Sequence, residues 1–238
     1  MPDAGGASDR RERPVDDLIQ PFQLESGDDG EAKLSGRLAR LGEAVDDLLR
    51  RHDYPEKVAE LLGEAIALSA ALAGALKFDG IFTLQVQGDG PVSLLLADVQ
   101  TTDGAERYLV RGYAKYDDEA LAAHEVGENL LGEGYFALTV DQGKHTERYQ
   151  GMVEITGTTL AESAQHYFRQ SQQMDAAITL SAGRAGPDAP WRAGAIMVQR
   201  IADDPNIQLP SDDGDDTWRR VMMLMATGQM IKIMLLRV

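Results

Sequence analysis

Residues 76–92 read LKFDGIFTLQVQGDGPV, and the fold turns on what the glycines of this stretch do. An apolar run reaches Gly80, and Gly88 and Gly90 bracket Asp89 further on. A phosphate-binding glycine cluster must follow a strand and open a helix, so that backbone N–H groups and the helix dipole meet the anion. Here the glycines lead into VSLLLADV (92–99), which reads as a strand, and no Gly-Lys-Ser/Thr follows. They are turn residues of a hairpin, and the nucleotide-loop reading falls.

Upstream of this stretch the period is helical. Tyr54-Pro55 restarts the chain, since proline suits a first helical turn. Val58, Leu61, Leu62, Ala65, Ile66, Ser69, Leu72 and Leu76 then predict a long helix, rich in small residues, that lies in the core. Before it, Leu34, Leu38, Leu41, Val45 and Leu48 predict another helix, with Arg50 and Arg51 at the negative end of its dipole. Residues 1–16 read as a disordered lead, and Glu25–Glu31 (ESGDDGE) as a solvated loop.

Downstream the period becomes two. IFTLQVQ (81–87), VSLLLADV, ERYLVRGYAKY (106–116), YFALTVDQ (135–142) and TERYQGMVEIT (146–156) predict five strands, with a hairpin turn at Asp141–Lys144. Thr159 and Glu162 form a capping box that opens a helix carrying Leu160, Ala164, Tyr167, Phe168 and Ser171. AAITLSA (176–182) and AGAIMVQRI (193–201) add two strands. Residues 203–216, with Pro205, Pro210, Gly214 and six aspartates, predict a linker, and Trp218 begins a last helical segment. Strands mostly follow strands, so the expected class is α+β, a largely antiparallel sheet packed with long helices.

Composition narrows function. The chain has 238 residues, 43% of them hydrophobic, enough for a sizeable core. A net charge of −16 argues against nucleic acid and against anionic membrane surfaces. The most apolar segment, residues 65–76, is too short to span a bilayer, and the N-terminus lacks a signal-like apolar stretch, so a cytoplasmic protein is expected. There is no cysteine, which removes thiolate nucleophiles, disulfides and thiolate metal sites. His52, His124, His145 and His166 are scattered, and HEVGE at His124 lacks the second histidine of a zinc helix. No Gly-x-Ser-x-Gly elbow occurs, and DDGDD (212–216) has a calcium loop's charge without its ligand spacing. No catalytic set emerges, and no enzyme is expected.

The order of these segments carries a resemblance. HDYPEKVAELLGEAIALSAALAGALKFDGIFTLQVQGDGPVSLLL (52–96), RGYAKY (111–116), LLGEGYFALTVDQGKHTERYQGMVEITGTTLAESAQHYFRQSQQ (130–173) and AGAIMVQ (193–199) together resemble the 33-kilodalton heat-shock protein family. The likeness runs from about Asp17 to Trp218. It implies an ATP-independent holdase chaperone that binds unfolding proteins and keeps them from aggregating, with homodimerisation. In that family a core domain is followed by a helical linker and a domain holding zinc through four cysteines, whose oxidation releases the metal and unfolds the linker.

On that pattern, residues 17–202 are the chaperone core and 203–238 an acidic, partial helical linker. No zinc domain and no zinc are expected, and the chain reads as a truncated member. The alternative is an inactive remnant or a small-ligand-binding module that keeps the fold. Met222, Met223, Met225, Met230 and Met234 crowd the last segment and are the candidate client-binding residues, because unbranched, polarizable side chains adapt to varied apolar partners.

Overall fold

The structure is a computed structural model that describes residues 17–26, 32–74, 80–102, 107–125, 128–142, 147–200 and 213–227. In chain order the elements are β1 (Leu18–Ser26), β2 (Ala32–Leu41), α1 (Glu43–Arg50), α2 (Glu56–Ala73), β3 (Gly80–Gly88), β4 (Val92–Thr102) and β5 (Arg107–Tyr116). There follow α3 (Asp118–Ala123), β6 (Gly134–Asp141), β7 (Tyr149–Glu154), α4 (Leu160–Ser171), β8 (Ala176–Gly183), β9 (Arg192–Arg200) and α5 (Asp213–Ala226). The strands form two antiparallel sheets, ordered β1-β2-β9-β8 and β5-β4-β3-β6-β7.

Helix α2 runs between the sheets, against β2, β8 and β9 on one side and β3, β4 and β5 on the other. This is why it is apolar all round rather than striped: thirteen of its residues are buried, from Val58 to Ala73. Small residues let both sheets come close. A Cβ on Gly63 would lie 2.7 Å from the Ala182 Cβ, well inside van der Waals contact. Alternation on each strand then fills the two interlayer spaces, with Phe82, Leu84 and Val86 of β3 and Ala193, Ala195 and Met197 of β9 facing α2. Helix α4 packs on β7 of one sheet and β8 of the other and closes that flank.

The hairpin glycines at 88 and 90 serve close packing. Their backbone meets the Leu130–Gly134 segment, through Asp89 N–H to the Glu133 carbonyl (3.0 Å), Gly90 N–H to Leu131 (3.1 Å) and Val92 N–H to Leu130 (2.9 Å). A Cβ on Gly88 would overlap the Leu131 carbonyl oxygen, and one on Gly90 would sit 2.6 Å from the backbone of residues 130–132. Gly88→Ala should therefore destabilise by about 1–3 kcal/mol, seen as a lower thermal midpoint; an unchanged midpoint would contradict this packing.

The capping box is present as the sequence predicts. Glu162 N–H donates to the Thr159 hydroxyl (3.2 Å), and the Glu162 carboxylate accepts from the Thr158 and Thr159 N–H groups (2.7 and 3.0 Å). Those donors, Thr158 first, hold the Glu162 carboxyl below its ordinary range. Its stabilising effect is present above the unfolded carboxyl's range and is lost as pH falls through the lowered folded value. Thr159→Ala should cost about 1 kcal/mol in chemical denaturation.

Two expectations are corrected. Residues 34–41 are not helical: they form β2, between β1 and β9, and the helix α1 covers only Glu43–Arg50. Leu34 and Leu38, four residues apart, fit either period, and pairing with two strands decides for the extended one. The last helix begins at Asp213, inside the stretch read as linker, rather than at Trp218. The strands are antiparallel in two sheets, in keeping with the expected α+β class, and β1 and α3 join the elements that the pattern shows. The lead, residues 143 and 144 of the expected turn, and residues 203–212 lie outside the described residues.

Candidate functional site

On each strand the residues that do not face α2 turn outward. For β1-β2-β9-β8 this outer face carries Leu18, Phe22 and Leu24, then Leu34, Gly36, Leu38 and Arg40, then Ile196, Val198 and Arg200, then Ala177 and Thr179, by the strand register. The Phe22 ring lies over Gly36, where a Cβ would collide with it. Ala177 and Val198 are buried although they belong to no part of the main core cluster. Helix α5 lies against β8 on this side.

Its attachment follows its sequence. Trp218, Val221, Met222 and Met225 are half-buried, at the i, i+3, i+4, i+7 spacing of one helical face, while Arg219, Arg220, Met223 and Leu224 are exposed. The Arg200 guanidinium stacks 5.2 Å from the Trp218 ring centre. The Thr179 hydroxyl donates to the Met225 carbonyl at 3.1 Å. Met223 and Leu224 stand 70% and 67% exposed, so the helix offers apolar surface to water while covering apolar surface beneath.

The methionines expected to act together are therefore divided. Met222 and Met225 are turned toward the sheet and Met223 is turned away; Met230 and Met234 lie outside the described residues. What the sequence reading missed is the sheet face itself. Leu38, Ile196 and Phe22 gain meaning only once β1, β2 and β9 are neighbours.

Among the described residues no three of His, Asp and Glu gather as a metal site. His124 is tied locally to Glu128, its Nε2 3.1 Å from the Glu128 carbonyl oxygen. Among the described residues no helix is long and apolar enough to cross a membrane.

Comparison with known proteins agrees with this architecture. The sequence model of the Hsp33 protein family matches residues 18–232. The chain belongs to the Hsp33 family. A relative from Caulobacter vibrioides named "33 kDa chaperonin" is 42% identical over 221 residues, covering 90% of this chain and 68% of its own length. One of the same name from Pseudomonas fluorescens is 36% identical over 214 residues, covering 90% and 65%. The crystal structure of the 33 kDa chaperonin from Thermotoga maritima superposes with a TM-score of 0.60 at 21% identity, over 76% of this chain and 60% of that one, which supports the fold. The chain thus spans about two thirds of the length of these Hsp33 relatives. Membership carries a chaperone role and, with it, unfolded proteins as partners.

Proposed function

We propose that the chain is a holdase that works without nucleotide, and that unfolding clients are taken on the outer face of the β1-β2-β9-β8 sheet when α5 lifts. The observation that supports this most is the way α5 is held: among the described residues, half-buried side chains, the Thr179–Met225 hydrogen bond and the Arg200–Trp218 contact keep it against β8 of the sheet. A terminal helix held by side-chain contacts of this kind opens locally before the core does, and what it reveals fits exposed apolar segments of a client. No catalytic step enters this reading.

The family's zinc does not fit the residues present. Its four-cysteine site has no counterpart among 238 residues that include no cysteine, and no described His/Asp/Glu cluster replaces it. These 238 residues offer no thiol to drive release of α5, and temperature and client are the triggers proposed for them. Elemental analysis of the purified chain should find no stoichiometric zinc; one tightly held zinc per chain would show that other donors converge.

The test is light scattering of a heat-unfolding client mixed with the chain, with and without ATP, before and after mild peroxide. Suppression should be the same in every arm, provided that the nine methionines stay reduced, since sulfoxide formation is the sulfur chemistry these residues allow. No suppression at several-fold excess would remove the holdase reading, and ATP dependence would remove its mechanism.

A further inference from the structure

Strand β7 ends the five-stranded sheet, and among the described residues nothing pairs with its outer edge. Its phase is fixed by Ile155, whose N–H donates to the Gly134 carbonyl at 2.8 Å. Antiparallel ladders alternate, so Val153, Gly151 and Tyr149 spend their backbone groups on β6, whereas Glu154, Met152 and Gln150 turn theirs outward.

The sheet edges are not alike. Proteins guard edges with proline, charge or a covering element. Edge strand β1 contains Pro21 and β5 carries Arg111 and Lys115; α4 packs on both β7 and β8, and α5 adds to the cover of β8. On β7 the outward-turned backbone belongs to Gln150, Met152 and Glu154, with no proline or lysine, and Met152 stands 57% exposed. Beside this edge runs a groove of about 410 Å³, walled by Met152, Val153 and Glu154 of the strand and His166, Gln170 and Ser171 of α4.

We infer that β7 is a second client site, which takes an extended, neutral-to-basic segment of an unfolded polypeptide as a sixth strand. A row of free N–H and C=O groups recognises backbone rather than side chains, which suits a partner of any sequence. Charge chooses between a client and a second copy. The chain carries −16, so another copy brings like charge to the edge, while Glu154 in the groove wall favours lysine or arginine on the incoming strand. The site is separate from the sheet face under α5 and rests on the holdase reading only for the nature of the partner.

The probe is a dye-labelled peptide of about eight residues, alternating valine with threonine and lysine. Its binding is followed by fluorescence anisotropy against the wild-type chain and Met152→Pro. Proline at 152 removes an outward N–H and leaves the bonds to β6 in place, which circular dichroism and the melting midpoint verify. Binding should weaken at least roughly tenfold. Because the variant's fold can itself suffer, a second arm keeps the protein unchanged and methylates the peptide's two central amide nitrogens, with the same loss expected.

Equal binding of both peptides by the wild type overturns the inference. So does a wild-type dimer in sedimentation that Met152→Pro dissociates, since the edge then belongs to a second copy. Aggregation suppression is measured alongside. Suppression without edge-dependent peptide binding refutes this site alone, and edge-dependent binding without suppression refutes the holdase reading alone.

Discussion

Ile66→Ala should lower stability by about 2–5 kcal/mol, the range for truncating a large buried aliphatic side chain. For a domain of this size that is a fall in thermal midpoint of roughly 5–20 °C. The reason is position. Ile66 has no exposed surface, and its Cδ1 would be 2.9 Å from a Cβ on Gly112, so it fills the space between α2 and β5 with no room for collapse. Leu109, on the solvent side of the same strand and 61% exposed, provides the contrast: Leu109→Ala should change stability by no more than about 0.5 kcal/mol. Calorimetry on the pair decides. Similar small effects at both sites would mean that α2 is not clamped between two sheets.

The second large effect is expected at the cover. Trp218→Ala removes the ring that stacks on Arg200 and the largest side chain on the buried stripe of α5. A helix of this length is marginal without tertiary contacts, so its docking depends on a few such anchors. Loss of the cation–π contact, about 0.5–1 kcal/mol, together with part of an aromatic burial, shifts the docked-to-open ratio by roughly tenfold or more. Hydrophobic-dye fluorescence should rise, and client aggregation should be suppressed at a lower chaperone ratio and a lower temperature. If dye binding and suppression are both unchanged, α5 is not what limits access to the sheet.

Legibility in the sequence followed how local each signal was. The capping box at Thr159 and Glu162, the strands from Ile81 to Ala182 and the buried helix expected over Val58–Leu76 rest on short-range patterns; the structure reproduces them, with α2 described to Ala73 and residues 75–79 outside the described residues. Local signals failed where tertiary pairing overrides period. Leu34 and Leu38 sit in a strand because β1 and β9 flank it, and neither neighbour is visible from 34–41 alone. Strand β1 was hidden by Pro21, a residue that demotes a strand in sequence and is tolerated here on an edge.

The candidate site was legible by half. The methionine crowding is plain in the chain, but only three-dimensional placement separates Met222 and Met225, turned to the sheet, from Met223, turned to water. The outer sheet face, which α5 meets at β8, is assembled from residues as distant as Phe22, Leu38, Ala177 and Val198, and no spacing rule joins them.

The most direct test of client capture under α5 is amide hydrogen exchange of the chain alone and with a heat-unfolded client held on it. The account predicts that amides of residues 213–226 lose protection when client is bound, while those of α2 and the central strands β2 and β9 keep theirs. Undiminished protection of α5 in a chain that is holding client would contradict it.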